Sequence, residues 1–147
     1  AINFVLAHDD GVSPQNFDEA DIILIGVSRC GKTTTCLYLG LQYGIAAANY
    51  PLTPDDMQVM QLPKLLETVK NKLFGLTLRP AQLYFIRQER RPNSPYASLA
   101  QCQQEIQWQE LLFQSLNIPF LDTTRISIEE ISAVILNRCG LRRQLYG

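Results

Sequence analysis

The strongest chemical signal in the sequence is a glycine-rich segment that ends in lysine and threonine. Residues 26–33, Gly-Val-Ser-Arg-Cys-Gly-Lys-Thr, fit the pattern G-x-x-x-x-G-K-[ST] at every fixed position. Gly26 and Gly31 allow the backbone to curl so that consecutive N–H groups point at a phosphate. Lys32 can then reach the terminal phosphates, and the hydroxyl of Thr33 can ligate Mg²⁺. We refer to residues 26–33 as the glycine loop.

The surroundings of the glycine loop favour nucleotide binding over the alternative, a plain glycine turn between a strand and a helix. An all-apolar strand lies directly before the loop, and an apolar helix follows it. The start of that helix directs its positive dipole end at the same place. The predicted nucleotide-binding residues are Gly26, Val27, Ser28, Arg29, Cys30, Gly31, Lys32 and Thr33.

Three arginines follow at helical spacing in the segment "IRQERRPNS". Arg87, Arg90 and Arg91 stand at i, i+3 and i+4, which places them on one face of a helix. Three guanidinium groups on one face repel each other unless an anion or carboxylates lie between them. Phosphoryl transfer needs such groups to neutralise charge, so we expect a phosphate clamp that Arg29 can join. A solvated helix face is the alternative.

Two groups of acids are candidates for the remaining chemistry. Asp9 and Asp10 lie next to the sole histidine in "HDDG", where either could orient or deprotonate an attacking hydroxyl. Turn chemistry explains that stretch equally well. Asp122 ends the apolar run "IPFLD", where a carboxylate could hold Mg²⁺ in a Walker B role, together with Thr33. Capping of the following turn is an equally good explanation of Asp122.

Composition and motifs exclude several classes of protein. A net charge of −1 argues against a nucleic-acid binder that works by bulk electrostatics. The four cysteines lack C-x-x-C spacing, which makes a zinc site improbable, and their positions predict a reduced, cytoplasmic protein. The apolar runs are too short to span a membrane. Neither motif expected of a GTPase after the glycine loop is present: D-x-x-G is missing, and "NKLF" lacks the aspartate of the guanine-binding N-K-x-D.

The elements that must position these residues alternate between strand and helix, which predicts an α/β fold. We expect a P-loop-containing parallel sheet of about four to five strands flanked by helices. The predicted strands are 21–25, the segment ending at Pro51, 72–78 and "IPFLD"; the predicted helices are 32–43, one from Pro54, 62–70, 80–91, one from Ser98 to about Leu116, and one from Ser127 to about Arg138.

The start of the chain is read separately from its body. Residues 12–19 read as a loop, and the first 21 residues carry five acids and no lysine or arginine. The start also lacks the basic region of a signal peptide. The chain begins abruptly with an apolar run, as if cut from a longer one, so we expect residues 1–20 to be a linker and acidic loop from a missing N-terminal domain. We expect residues 21–147 to be the P-loop nucleotide-binding kinase domain.

Beyond the glycine loop, motifs along nearly the whole chain resemble one protein family. The stretches that carry the resemblance are "AHDDG", "GVSRCGKT", "YGIAAANYPLTPDD", "LPKLL", "KLFGLT", "IRQERRPNSPYASLAQC", "IPFLDTT", "SIEEI" and "GLRRQLY". In this order they look like the regulatory proteins of phosphoenolpyruvate synthase and of pyruvate, phosphate dikinase. Two positions depart from the family pattern: Thr34 stands where proline is expected, and Pro95 stands where a basic residue is expected.

The resemblance implies a bifunctional enzyme. Such an enzyme uses ADP to phosphorylate a threonine of its target, which inactivates the target, and it uses inorganic phosphate to remove that group as pyrophosphate. The family's ADP loop carries over to residues 26–33, which makes Lys32 a catalytic candidate beside Asp9, Asp10, Arg87, Arg90 and Arg91. The implied partner is phosphoenolpyruvate synthase or pyruvate, phosphate dikinase, and a homodimer is left open. A small-metabolite kinase that uses ATP and a non-catalytic nucleotide sensor are the alternatives.

Overall fold

The computed structural model describes the backbone of residues 14–140 and the side chains of residues 17–140. Within that part of the chain, four strands alternate with five α-helices. The strands are β1 (Ile22–Gly26), β2 (Ala47–Pro51), β3 (Leu73–Thr77) and β4 (Phe120–Asp122). The helices are α1 (Lys32–Tyr43), α2 (Pro54–Gln58), α3 (Pro80–Arg90), α4 (Leu99–Ser115) and α5 (Ile128–Arg138).

The four strands form one parallel sheet in the order β2-β1-β3-β4. This confirms the predicted α/β class and the expected number of strands. Strand β1 lies between β2 and β3, and all five of its residues are buried, as expected for a strand covered on both faces. Because the strands are parallel, their carboxyl ends meet at one edge of the sheet, where ligands of such folds bind.

The helices cover the sheet in two groups. Helix α1 packs against β1, β2 and α5, whereas α4 packs against β3, α3 and α2. Between them lies a core that includes Ile23, Leu24 and Phe74, each of which has no exposed surface. Burial of these apolar side chains is the main stabilising contribution to the fold.

Local sequence signals set the helix ends. Gly44 adopts a left-handed conformation with φ of 64° and ends α1, as the sequence predicts. Thr53 caps α2 in a reciprocal capping box with Asp56, and Pro54 occupies the first turn. Ser127 accepts a hydrogen bond from the backbone N–H of Glu130 (3.2 Å) and so caps α5.

Two segments differ from the predicted elements. Within the predicted loop 12–19, the described residues Pro14–Glu19 form a short 3₁₀ helix. Its Phe17 is buried and contacts Tyr50 edge to face, so this segment packs onto the body of the fold. The predicted helix 62–70 is instead a 3₁₀ segment, Lys64–Lys72, which is interrupted at Val69 by non-helical backbone angles.

Candidate active site

The glycine loop connects the end of β1 to the start of α1, and both of its glycines are required by geometry. A Cβ atom added to Gly26 would lie 2.7 Å from the carbonyl oxygen of Leu76, which is closer than real contacts allow. Gly31 has φ of 90°, a conformation that L-residues with a Cβ atom rarely adopt. The loop can therefore turn sharply at the edge of the sheet, with its backbone close to β3.

Arg29 is also held in a left-handed conformation, with φ of 72°. For a non-glycine residue this conformation costs roughly 1–2 kcal/mol. The side chain is exposed and lines the cleft described below. The loop therefore keeps a cation at its tip despite an unfavourable backbone conformation.

Gln109 of α4 holds the glycine loop in place, and no local sequence pattern marks it for this role. Its side-chain oxygen accepts a hydrogen bond from the backbone N–H of Val27 (2.9 Å). Its side-chain nitrogen donates to the hydroxyl of Thr77 at the end of β3 (3.0 Å). Since Gln109 is fully buried, its amide ties the loop to the neighbouring strand in a site without water competition.

Lys32 and Thr33 occupy the first turn of α1. The side chain of Lys32 is only 5% exposed, and its Nζ donates to the carbonyl oxygen of Val27 (2.8 Å), which keeps the ammonium group inside the curl of the loop. Nδ2 of Asn49 donates to the hydroxyl of Thr33 (3.1 Å). Asn49 belongs to β2, the strand beside β1, so the predicted metal-binding hydroxyl lies against the sheet edge.

A cleft of about 760 Å³ opens over the glycine loop, and we call it the loop cleft. One wall is formed by the loop itself and by the end of β2, the other by the C-terminal half of α3 and by Tyr96. The residues that line it are Ser28, Arg29, Gly31, Lys32, Thr33, Thr34, Asn49, Pro51, Ile86, Arg90, Arg91 and Tyr96. Four cationic side chains therefore surround one cavity at the carboxyl edge of a parallel sheet, which suits a polyanionic ligand.

The three arginines of the predicted clamp do not share one environment. Arg90 and Arg91 are exposed and line the loop cleft. Arg87 is fully buried and forms a two-pronged ion pair with Glu105, with nitrogen–oxygen distances of 2.9 and 3.2 Å. Glu105 of α4 therefore neutralises Arg87, whereas Arg90 and Arg91 line the cleft.

Arg87 also holds the glycine loop in place. Its guanidinium donates to the carbonyl oxygens of Ser28 (3.3 Å) and Tyr96 (3.0 Å). Burial by itself lowers the pKa of Arg87, but the hydrogen bonds and charge of Glu105 outweigh burial and raise it. Arg87 therefore remains charged and joins α3, α4 and the loop, which is a positioning role.

Tyr96 is a further site residue for which the sequence predicted no role. Its ring lies 4.1 Å from the guanidinium carbon of Arg87 and 5.7 Å from that of Arg91. Its hydroxyl is hydrogen-bonded to the hydroxyl of Ser28. Stacking of this kind orients guanidinium groups while leaving their N–H donors available.

The acidic candidates are placed as follows. Asp9 and Asp10 lie outside the described residues. Oδ1 of Asp122 accepts hydrogen bonds from the backbone N–H (2.9 Å) and the hydroxyl (2.6 Å) of Thr124, as the turn-capping alternative expects. Asp122 also ends β4, which is separated from β1 by β3. The strand next to β1 presents Asn49 to Thr33 instead.

Cys30, at the centre of the loop, is buried against Gln109. Burial raises the pKa of its thiol, and the nearby Lys32 only partly opposes this effect. Cys36 and Cys102 are buried too, Cys139 is exposed, and none of the four forms a disulfide. A protonated, buried thiol is a weak nucleophile, so Cys30 acts here as a small packing residue.

The described residues offer few ligands to a magnesium ion. Among residues 17–140, no group of three or more histidine, cysteine or acidic side chains is arranged to hold a metal ion. The hydroxyl of Thr33 is nevertheless placed at the cleft, and Mg²⁺ commonly takes most of its ligands from substrate phosphates and water. The site therefore fits a metal that arrives with a nucleotide.

Among residues 14–140, none of the helices has the length and apolar character that crossing a bilayer requires.

Comparison with known proteins shows the family to which the chain belongs. The chain is similar to curated proteins provisionally named phosphoenolpyruvate synthase regulatory proteins. It is 60% identical to one from Aeromonas hydrophila over 146 residues, which are 99% of this chain and 54% of the relative. It is 57% identical to one from Nitrosomonas eutropha over 147 residues, 100% of this chain and 54% of the relative. The chain thus spans about half the length of the curated relatives it matches.

A family model described as kinase/pyrophosphorylase matches residues 1–136, which include the glycine loop, the arginines of α3 and the acids of the N-terminal segment. The match therefore covers every residue singled out for chemistry. On this evidence the chain belongs to the kinase/pyrophosphorylase family.

Proposed function

We propose that this chain is the nucleotide-binding part of a bifunctional enzyme that regulates phosphoenolpyruvate synthase. It would phosphorylate a threonine of that enzyme with ADP and remove the phosphoryl group with inorganic phosphate. The observation that carries the proposal is the loop cleft, where Lys32 and the glycine loop face Arg90 and Arg91 across one cavity. The family match and the names of the relatives support the choice of reaction and target.

In the inactivating direction the β-phosphoryl group of ADP is transferred. The hydroxyl oxygen of the target threonine attacks the β-phosphorus, the bond to the oxygen bridging the α-phosphate breaks, and AMP leaves. The hydroxyl proton must pass to a base, for which Asp9 and Asp10 remain our candidates. The ammonium of Lys32 would exchange its bond to Val27 for the β-phosphate, so that it holds the group that moves.

In the activating direction an oxygen of inorganic phosphate attacks the phosphorus of the phosphothreonine. The phosphorus–oxygen bond to threonine breaks, the threonine oxygen regains a proton, and pyrophosphate leaves. Two anions must approach each other in this step, which requires cations that are not already paired. Arg29, Arg90 and Arg91 suit this task because they are exposed and line the cleft.

Mg²⁺, bound by Thr33 and by nucleotide oxygens, would supply further neutralisation of phosphate charge. Asn49 orients the Thr33 hydroxyl through its hydrogen bond. The hydrogen bonds from Thr124 engage only Oδ1 of Asp122, so Asp122 stays a proposed metal ligand through its other carboxylate oxygen. Asp122→Asn retains Oδ1 as an acceptor and removes the charge, so it should preserve the β4–α5 turn and raise the Mg²⁺ concentration that activity requires.

The test is transfer of label from ADP labelled in its β-phosphate. The whole protein that contains this chain is incubated with phosphoenolpyruvate synthase phosphorylated on its catalytic histidine, which the family resemblance implies is the form of the target that is modified. We expect label on a threonine of the synthase and, after addition of inorganic phosphate, release of labelled pyrophosphate. Label transfer to pyruvate, phosphate dikinase instead would change the target. Turnover of ATP without a protein acceptor would favour a small-metabolite kinase, and ADP binding without transfer would favour a sensor.

The matched variants are Lys32→Ala and Lys70→Ala, which remove the same charge from the cleft and from an exposed site outside it. Loss of a charge-assisted bond of about 1.5–3 kcal/mol predicts roughly 10- to 100-fold weaker ADP binding for Lys32→Ala. Lys70→Ala should bind ADP like the unmodified protein. Equal affinity of the two variants in titration calorimetry would remove Lys32 from the site.

A further inference from the structure

A second cavity, of about 290 Å³, lies beside the glycine loop at the carboxyl ends of β3 and β4; we call it the side cavity. One wall comes from the end of β3 and from α3, and the other comes from the β4–α5 turn and from α5. The residues that form these two walls and carry the argument are Leu78, Gln82, Ile86, Thr123, Ile128 and Ile131.

The side cavity adjoins the loop cleft, and Arg29, Gly31, Thr34 and Ile86 line both. Thr34 follows the Lys-Thr pair in the first turn of α1, so the two cavities meet where the glycine loop passes into the helix. The base of a nucleotide whose phosphates lie in the loop is therefore within reach of the side cavity.

The two cavities differ in chemistry. Among the described residues, four cations line the loop cleft, whereas Arg29 is the only charged residue that lines the side cavity. Leu78, Ile128 and Ile131 give the side cavity an apolar wall, and the amide of Gln82 stands at its exposed margin. The hydroxyl-bearing side chains of Thr34, Thr35, Thr123 and Thr124 complete the lining. A largely uncharged lining that combines apolar side chains with a few hydroxyl and amide groups suits a flat, uncharged heterocycle.

We propose that the side cavity binds the base of the nucleotide and that Gln82 reads the base; this inference rests on the function proposed above. A glutamine amide offers a donor and an acceptor side by side, which matches the N6 and N7 edge of adenine. Guanine presents acceptors at both corresponding positions and so pairs poorly with an amide. The side cavity therefore makes the site selective for adenine nucleotides.

A third cavity, of about 380 Å³, is the competing place for the base. It lies on the other side of the loop cleft and shares Ser28, Pro51 and Tyr96 with it. The buried Arg87–Glu105 pair forms part of its wall. Tyr96 lines both this cavity and the loop cleft, and the guanidinium carbon of Arg91 lies 5.7 Å from its ring, so this side suits the charged acceptor rather than an uncharged base.

The experiment compares two ligands that share a diphosphate: ADP and inorganic pyrophosphate, both with Mg²⁺. Ile128→Trp fills the side cavity, Glu129→Trp adds the same bulk to an exposed position on the same helix, and Pro95→Trp fills the third cavity. We expect Ile128→Trp to weaken ADP binding about tenfold or more and to leave pyrophosphate binding unchanged. Glu129→Trp and Pro95→Trp should leave the affinity for both ligands unchanged.

Gln82→Ala provides a second measurement that does not depend on a buried position, because Gln82 is exposed. Gln82→Ala should lower the ratio of the dissociation constants of GDP and ADP about tenfold. Equal weakening of ADP and pyrophosphate by Ile128→Trp, or weakening of ADP by Pro95→Trp alone, would overturn the assignment. An unmodified protein that binds neither ligand would remove the proposed function itself, and with it this inference.

Discussion

Arg87 and Arg90 are one helical turn apart on α3 and have opposite environments. Arg87 has no exposed surface and is paired with Glu105, whereas Arg90 is exposed at the loop cleft. Removal of one partner from a buried ion pair leaves an unpaired charge in a medium of low polarity. Removal of an exposed arginine leaves no buried, unpaired charge, because water solvates the groups that remain.

Arg87→Ala should therefore lower the free energy of unfolding by about 3–5 kcal/mol, because Glu105 would remain buried without its partner. Arg90→Ala should change that free energy by less than about 0.5 kcal/mol. Urea unfolding followed by circular dichroism measures both. Arg90→Ala is the matched control, and equal unfolding midpoints for the two variants would contradict a structural role for Arg87.

Among single residues, the sequence predicted those of the glycine loop but not those that support it. Residues 26–33 form a contiguous pattern whose chemistry is local, so spacing alone identified them. Gln109 and Tyr96 reach the loop across sequence separations of 82 and 68 residues. No local pattern marks such partners. The difference between Arg87 and Arg90 has the same origin, because it depends on where α4 places Glu105.

Helix α4 packs closely on β3 at Gly75. Gly75 lies in the middle of β3, and an added Cβ atom would lie 2.6 Å from the ring of Phe113 on α4. Both residues are fully buried, so neither can move into solvent. This contact sets the height of α4, and hence of Gln109, above the strands.

Gly75→Ala should destabilise the fold by about 1–3 kcal/mol, because the added methyl group overpacks the contact with Phe113. The Phe113→Leu change removes the ring and should recover part of that loss when combined with Gly75→Ala. A double-mutant cycle in urea measures the coupling. If the two changes are additive, the proposed contact does not limit the packing.

Helices and strands were largely predictable because their signals lie within them. Thr53, Ser98 and Ser127 each cap a helix that starts where the sequence predicts. The hydroxyl of Ser98 accepts a hydrogen bond from the backbone N–H of Gln101 and so caps α4. In a capping box the side chain of Gln101 would bond back to Ser98. It instead donates to Glu105 (2.8 Å) and so takes part in the buried network around Arg87. Tertiary contacts of this kind, like the packing that fixes the 3₁₀ segments, were not readable from local sequence.

The whole molecule carries several groups whose folded state favours the protonated form. Burial raises the pKa of Cys30, Tyr50 and Cys102. A group with a raised pKa holds its proton in the folded state at a pH where the unfolded chain has released it. Its stabilising contribution is complete below its unfolded pKa and is lost as the pH rises through its folded pKa.

The free energy of unfolding should therefore fall as the pH rises above about 8.5, where unfolded cysteine begins to ionise. Each such group contributes a slope of up to about 1.4 kcal/mol per pH unit. Urea unfolding at pH 8 and pH 10 measures the effect, and Cys30→Ala should make the decline shallower. Stability that stays constant or increases across this range would contradict the assignment.

The hydrogen bonds of Gln109 have a consequence for how the site responds to solution conditions. The side-chain amide of Gln109, which supports the glycine loop, is neutral and fully buried. It neither titrates nor attracts counterions. The shape of the loop should therefore persist at ionic strengths that screen Arg90 and Arg91, which are exposed. The dependence of ligand affinity on salt would then report on the cations around the cleft, separately from the architecture of the loop.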